Sequence, residues 1–250
     1  MSIGCPQGGV LSTLLWNIAF DDLLKIFDRT GIVIVGYADD GSIMVTGNNI
    51  NALFKTMNEA LIKCQAWAER YGLDISPEKT EYMICTSKLR KSYTLPPGGI
   101  TLKGKQVDRV TSVKYLGLII DHKLSWHEHI NSRIEAARKN LFRLNNFIGK
   151  TWGPCPKLVK FAYTSSIRPM LSYASFAFAD RLTQGQKVKL KSFQRRVLMM
   201  LGNFRDKTPA DALDVITDTM PIDLFLKSEQ AKAGYRIRPH FDEDPLLRHG

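Results

Sequence analysis

Two adjacent carboxylates, Asp39 and Asp40, sit in the stretch GYADDGSIMV, Gly36 to Val45. Side by side they repel when ionised, so their charged form calls for a counter-charge. A divalent cation supplies one, and carboxylates with water and phosphate oxygens suit Mg²⁺. Two such ions about 3.5–4 Å apart stabilise the attacking and leaving oxygens of phosphoryl transfer. Taken alone the pattern is short, and Asp in a turn is common. A second stretch, GCPQGGVLSTLLWN (Gly4 to Asn17), ends 20 residues before Tyr37. A Pro-Gln-Gly-Gly loop feeding a helix lets the backbone approach a phosphate or a base pair closely.

The elements that must hold these residues follow from periodicity. Val10, Leu11, Leu14, Leu15, Ile18, Leu23, Leu24 and Phe27 are spaced by threes and fours, which predicts a helix ending before Gly31. The β-rich runs 32–35 and 42–46 predict a hairpin with Asp39 and Asp40 at its turn. Leu53, Met57, Ala60, Leu61, Cys64, Trp67, Ala68 and Tyr71 predict a second helix closed by Gly72. Short strands are expected near 82–86, across 101–107 with Gly104 in the turn, and over 113–120. Helices follow: one with the stripe Ile134, Ala137, Leu141, Leu144 and Ile148, one over 158–167 up to Pro169, and one over 187–201 with Val188, Phe193, Val197 and Leu201 inward. The fold class is therefore α+β, with a boundary near 121–130 between a mixed half and a helical half.

The charge follows the same division. Lys and Arg number 35 against 24 Asp and Glu, a net of +11 in 250 residues. Residues 131–205 hold 15 basic and 2 acidic side chains, leaving 20 basic against 22 acidic elsewhere. One segment thus carries the whole surplus, which points to a polyanion such as nucleic acid, with a solvated basic surface as the plainer alternative. Hydrophobic residues at 44% and charged residues at 24% are ordinary globular usage and exclude disorder, collagen and coiled coil. No apolar run approaches the roughly 18 residues of a membrane span, and the first residues lack a signal-peptide pattern. An intracellular protein without membrane contact is expected. The four cysteines (Cys5, Cys64, Cys85, Cys155) have no C-x-x-C pair, which argues against a zinc knuckle or a disulfide frame.

Taken together, four blocks in order make the chain resemble the reverse transcriptases of non-LTR (LINE-like) retrotransposons, especially jockey-like elements. GCPQGGVLSTLLWN is similar to their palm motif B, YADD to motif C, GLDISPEKTEYM (Gly72 to Met83) to motif D and VKYLGLIID (Val113 to Asp121) to the primer grip. WGPCPKLVKFAYTSSIRPMLSYAS and FQRRVLMMLGNFRDKTPADALDVITDTMPIDL resemble the helical region beyond the palm, so the likeness runs over roughly residues 3–235.

That resemblance implies a partial polymerase palm over residues 1–121, an antiparallel sheet with helices on one face. A basic, all-α thumb-like region follows over 122–250. It implies RNA-directed DNA polymerase activity by two-metal nucleotidyl transfer with Mg²⁺, on an RNA template, a DNA primer and deoxynucleoside triphosphates. Asp39 would be a Mg²⁺ ligand and Asp40 the second acid. Tyr37 would pack near the primer end and template. Pro6, Gln7 and Gly8 would touch the template and incoming nucleotide, and Lys79 would face the leaving pyrophosphate. Tyr115, Leu116 and Gly117 would support the primer. Arg138, Lys139, Arg143, Lys187, Lys191, Arg195 and Arg196 would grip the nucleic-acid backbone.

Plainer readings stand beside several of these. Lys79 also reads as an exposed turn charge, and Tyr115 and Leu116 as strand core. Trp67 and Trp126 read as core, and His127-Glu128-His129 as non-ligating, since i,i+2 residues do not share a helix face. The resemblance also lacks a part: the family's motif A aspartate lies upstream of motif B, where this sequence has only Met1, Ser2 and Ile3. Asp21 and Asp22 do not match it. Thr13 stands where the family usually has Pro, a mild change at a helix start. The expectation is a palm-and-thumb fragment without polymerase activity by itself. The alternative is a non-catalytic RNA- or DNA-binding remnant of a decayed element.

Overall fold

In the computed structural model, residues 8–86, 94–145, 155–202 and 204–243 are described. The chain divides into two compact units, Met1–Thr111 and Ser112–Gly250.

The first unit is built around one long helix. Helix α1 (Ser12–Ile26) leads into an antiparallel hairpin, β1 (Val33–Tyr37) and β2 (Asp40–Met44), and then α2 (Ile50–Arg70). Asn49 caps α2 by accepting from the amides of Asn51 (2.9 Å) and Ala52 (3.3 Å). At its other end Gly72, at φ +65°, lets Leu73 N–H reach the Ala68 carbonyl at 2.8 Å, a Schellman closure. Both faces of α2 are used. Ala60, Cys64, Trp67 and Ala68 pack with Leu23 and Phe27 of the α1 segment, while Phe54 and Leu61 pack with Ile100, Leu102 and Val107. A 3-10 turn (Pro77–Lys79) follows, then β3 (Glu81–Tyr82), β4 (Thr101–Leu102), β5 (Lys105–Gln106) and β6 (Asp108–Arg109). Strand β3 pairs in parallel with β6, and β4–β5 is a hairpin whose Lys103 and Gly104 both take positive φ, as a two-residue I′-type turn demands.

Helix α1 is apolar on two sides, and packing selects one. Trp16, Phe20, Leu23 and Phe27 lie on its inner stripe. Val10, Leu11, Leu14, Leu15 and Ile18, equally apolar in the sequence, are more than half exposed.

The second unit opens with β7 (Ser112–Tyr115) and β8 (Leu118–Asp121), joined by Leu116 and Gly117, both at positive φ. The single strand expected over 113–120 is thus a hairpin, because Leu116-Gly117 supplies a two-residue turn. The Asp121 carboxylate accepts from the amides of Lys123, Ser125 and Trp126 and from the Ser125 hydroxyl, at 2.8–3.2 Å. Burial works to raise its pKa, but these donors together hold it below the ordinary carboxylate value. They also fasten the hairpin to α3 (His127–Asn145).

Next come α4 (Pro156–Ala162), one π-helical turn (Tyr163–Ile167) and α5 (Arg168–Ser172). The helix expected to stop at Pro169 continues past it to Ser172, with Pro169 following directly on the π-helical turn Tyr163–Ile167. Helices α6 (Ser175–Phe178), α7 (Gln184–Met199), α8 (Ala210–Ile216) and α9 (Ile222–Glu243) complete the unit. Thr183 and Gln186 form a capping box at the start of α7. The core joins Trp126, Ile130, Ile134, Ala137 and Leu141 to Tyr163, Leu171, Phe178, Phe193, Val197 and Leu226. Val188, expected inward on α7, is exposed, while Gln194 takes a buried place instead. It does so because its amide is satisfied on both sides, accepting from Tyr163 Oη and donating to Asp214, each at 2.7 Å.

The architecture is mixed helix and small sheet. In place of one palm-like sheet, the strands among the described residues form four separate two-stranded ribbons. A lone ribbon is marginal in water, so each depends on the helices it packs against.

Candidate active site

The β1–β2 register is Val33↔Met44, Ile34↔Ile43, Val35↔Ser42, Gly36↔Gly41 and Tyr37↔Asp40. Alternation sends Ile34 and Ile43 to the core with α1 and α2. Val33, Val35, Tyr37, Asp40, Ser42 and Met44 therefore share the outer face. Asp40 is the first residue of β2 rather than a turn residue as expected; the turn is Ala38-Asp39, with Ala38 at φ +52°. Asp39 thus escapes the strand's strict alternation and stands at the apex beside the Tyr37–Asp40 pair. All three side chains are exposed.

Helix α1 fixes this apex from below. Trp16 Nε1 donates to the Ala38 carbonyl at 2.8 Å. The Phe20 ring lies so close to Gly36 that a Cβ there would fall 2.1 Å from its Cζ. Phe20 meets Trp67 edge-on at 6.1 Å, and Trp67 Nε1 donates to the Ala19 carbonyl at 3.0 Å. Sequence reading passed over Trp16, Phe20 and Gly36 as positioning residues; the i,i+4 aromatic pair and the glycine beside Tyr37 were the available signals.

The other acids of α1 are engaged elsewhere. Asp21 pairs with Lys25 at 2.6 Å, and Asp22 accepts from Tyr71 Oη at 2.5 Å and pairs with Arg70. The Tyr71 bond chiefly lowers the Asp22 pKa. Among the described residues no three His, Cys, Asp or Glu side chains converge as metal ligands. The donor set at the apex is thus two neighbouring carboxylates. That suits one Mg²⁺, which commonly takes one or two carboxylates and completes its shell with water and phosphate oxygens, but not a self-contained pair of ions.

Lys79 is exposed at the end of the 3-10 turn, and no contact joins it to the hairpin among those described. Its neighbour Glu78 receives Lys105 at 2.5 Å, and that bond leads in holding the Glu78 pKa down at about 2. Gly8 is exposed ahead of α1; Pro6 and Gln7 lie outside the described residues.

In the second unit, Leu116 and Gly117 form the β7–β8 turn, and Tyr115 is the strand residue before it. This hairpin is held at three points. Tyr173 Oη donates to the Leu116 carbonyl at 2.9 Å, Arg133 donates to the Gly117 carbonyl, and Ile119 N–H donates to His129 Nδ1 at 3.3 Å. Arg133 also lies over the Tyr173 ring at 5.1 Å. His129 is fully buried, and desolvation above all, with Arg133 nearby, pushes its pKa down to about 4. It is a neutral core acceptor, and Trp67 and Trp126 are core as well.

The basic residues differ in exposure and in partners. Arg138, Lys139, Arg143 and Arg196 are exposed, with Arg138 paired to Glu135 at 2.6 Å. Lys191 pairs with Asp223 at 3.5 Å, and Arg195 donates to the carbonyls of Asp206 and Thr208, so these two brace the fold. Lys187 is half-buried. No described helix is long and apolar enough to cross a membrane.

Comparison with known proteins bears on both units. The family described as reverse transcriptase (RNA-dependent DNA polymerase) matches residues 2–120. A retrovirus-related Pol polyprotein from type-1 retrotransposable element R1 2 of Nasonia vitripennis is 25% identical, over 88% of this chain and 54% of its own length. An R1 Pol polyprotein of Bradysia coprophila is 26% identical, over 97% of the chain and 24% of its own length. The RNA-directed DNA polymerase from mobile element jockey of Drosophila melanogaster is 28% identical, over 58% of the chain and 16% of its own length. The chain thus spans between about half and a sixth of these relatives. No solved structure matches it.

Proposed function

We propose a function from one premise: residues 2–120 are a segment of a reverse transcriptase domain, akin to those of non-LTR retrotransposons. On our reading the first unit carries the metal-binding hairpin of an RNA-directed DNA polymerase palm, and the helical unit is its thumb, with the palm segment running to residue 121. The supporting observation is the apex itself, with Asp39 in the turn and Asp40 across from Tyr37, all exposed and braced by Trp16 and Phe20.

Asp39 and Asp40 would hold Mg²⁺, which when bound supplies the counter-charge for oxygens of the reacting phosphate. Tyr37, on the same face, lies against the primer end and template. Pro6, Gln7 and Gly8 contact the template and incoming nucleotide, and Lys79 offers charge or a proton to the leaving pyrophosphate. Tyr115 and the Leu116–Gly117 turn support the primer strand. Arg138, Lys139, Arg143 and Arg196 neutralise backbone phosphates, with Lys187 partly available beside them. Because the two apex carboxylates found among the described residues do not make a two-ion site, we expect the 250-residue polypeptide to bind an RNA–DNA hybrid without extending it. That same shortage favours the second reading, a binding module without chemistry.

Iron-mediated backbone cleavage, with Fe²⁺ replacing Mg²⁺ on the hybrid-bound chain, tests the proposal. Cleavage at residues 36–42 that disappears in Asp39→Asn and Asp40→Asn, with hybrid affinity retained, supports the metal site. Salt-dependent hybrid binding with no cleavage there favours the binding module.

A further inference from the structure

One aromatic side chain on α3 has no place in the core. Leu141 is buried, but Phe142 beside it is 66% exposed. Arg138 lies one helical turn before Phe142, and Lys139 lies one turn before Arg143, so the four side chains form two adjoining rows. Among the described residues these four border a shallow, open stretch of the helix surface. Arg138 pairs with Glu135 at 2.6 Å, one turn back along the helix, and Arg143 donates to Asn140 at 3.5 Å.

We propose that Phe142, framed by Arg138, Lys139 and Arg143, is a stacking platform for an unpaired base of a single-stranded nucleic acid. The inference rests on the reading that the helical unit holds nucleic acid, and it names the form held there. A purely apolar partner would have to desolvate the cations Lys139 and Arg143 as well as the Arg138–Glu135 pair, which is expensive. A polyanion meets the net positive charge. A duplex offers phosphates but keeps its bases stacked on one another, leaving the ring nothing to cover. An unpaired strand satisfies both features: its phosphates meet the cations, and a base lies on the aromatic face. Such stacking tolerates every base because each has a π-face. All four residues belong to the segment 131–205 that carries the basic excess of the chain.

The test compares strands of about a dozen nucleotides, within the site sizes of single-strand binders. The 250-residue chain is titrated by fluorescence anisotropy with a base-bearing single strand, as RNA and as DNA, an abasic strand of equal phosphate count, and a duplex. Phe142→Ala should weaken the base-bearing strand about 5-fold or more. It should leave the abasic strand and the duplex within about 2-fold, and the salt dependence unchanged. Phe142→Leu, which keeps an apolar side chain but no ring, should behave like Phe142→Ala. Arg143→Gln should weaken all the strands together and flatten the salt slope. Equal preference of RNA and DNA identifies the base as the ligand; preference for RNA adds a ribose contact to the same platform. Unchanged affinity of the base-bearing strand, or equal loss on the abasic strand, overturns the stacking role while leaving phosphate binding intact. Phosphatidylserine vesicles are titrated alongside, and a Phe142→Ala loss confined to them overturns the stacking role in favour of a membrane contact. Absence of any nucleic-acid binding by the unaltered chain overturns the reading beneath it as well.

Discussion

Trp16 and Ala38 are joined by a 2.8 Å hydrogen bond from the indole nitrogen to the carbonyl immediately before Asp39. Replacing Trp16 with Phe keeps a ring on the inner stripe of α1 and removes the donor. Stability should fall by about 0.5–1.5 kcal/mol in urea unfolding. Amide exchange at Asp39 to Gly41 should quicken by more than the global change. Equal acceleration along the whole hairpin would show that the bond does not act on the turn.

Gly36 is required for space rather than for backbone freedom. Its φ is not in the left-handed region, but an added methyl would run into Phe20. Gly36→Ala should cost about 1–3 kcal/mol, the range for overpacking. Combined with Phe20→Leu it should cost clearly less than the sum of the single changes, because the two sites share one contact. Additive losses in denaturant melts would contradict this.

At the second hairpin, Tyr173→Phe removes the bond to the Leu116 carbonyl while keeping the ring beneath Arg133. About 0.5–1.5 kcal/mol should be lost, with faster exchange confined to residues 116–119. Gly117→Ala should lose more, roughly 1–2 kcal/mol. Its φ of +79° disfavours any side chain, and the new Cβ would press on Tyr173 at 3.4 Å. Equal effects of the two variants would rule out the backbone component.

His129 gives the fold a pH dependence of definite sign. Its folded pKa of about 4 lies below the ordinary 6.5, so the fold favours the neutral ring. That stability is fully present above pH 6.5 and is lost as pH falls toward 4, amounting to about 3 kcal/mol at most. The lowered carboxylates Asp22 and Asp121 lose theirs only as pH falls below about 3.8, their ordinary value, while Asp214, raised by burial, contributes with the opposite sign, so a decline between 6.5 and 4.5 belongs to the histidine. Urea midpoints should decline through that interval, and the decline should vanish in His129→Gln. A decline that persists in the variant would assign it to other groups.

Much of the scaffold was legible in the residues. The α2 stripe with its Gly72 stop, the Gly104 turn and the β-runs flanking Asp39 obey local rules, so pattern alone placed them. What escaped depends on tertiary choice. Helix α1 offers two apolar faces, and only packing against Trp67 selects the one bearing Trp16 and Phe20. Leu116-Gly117 looked like mid-strand because a turn in apolar surroundings leaves no polar trace. The engagement of Arg195 with backbone carbonyls, and the exposure of Phe142 beside a buried leucine, are invisible to a charge count or a hydropathy pattern.

The four hydrogen bonds gathered by the Asp121 carboxylate have a mechanical consequence. The last residue of one hairpin and the segment leading directly into the following helix are riveted at a single side chain, and Arg133 clamps the far end of that hairpin to the same helix. Lever and tip are therefore one body, so any tilt of α3 would carry the Leu116–Gly117 loop along with little slack.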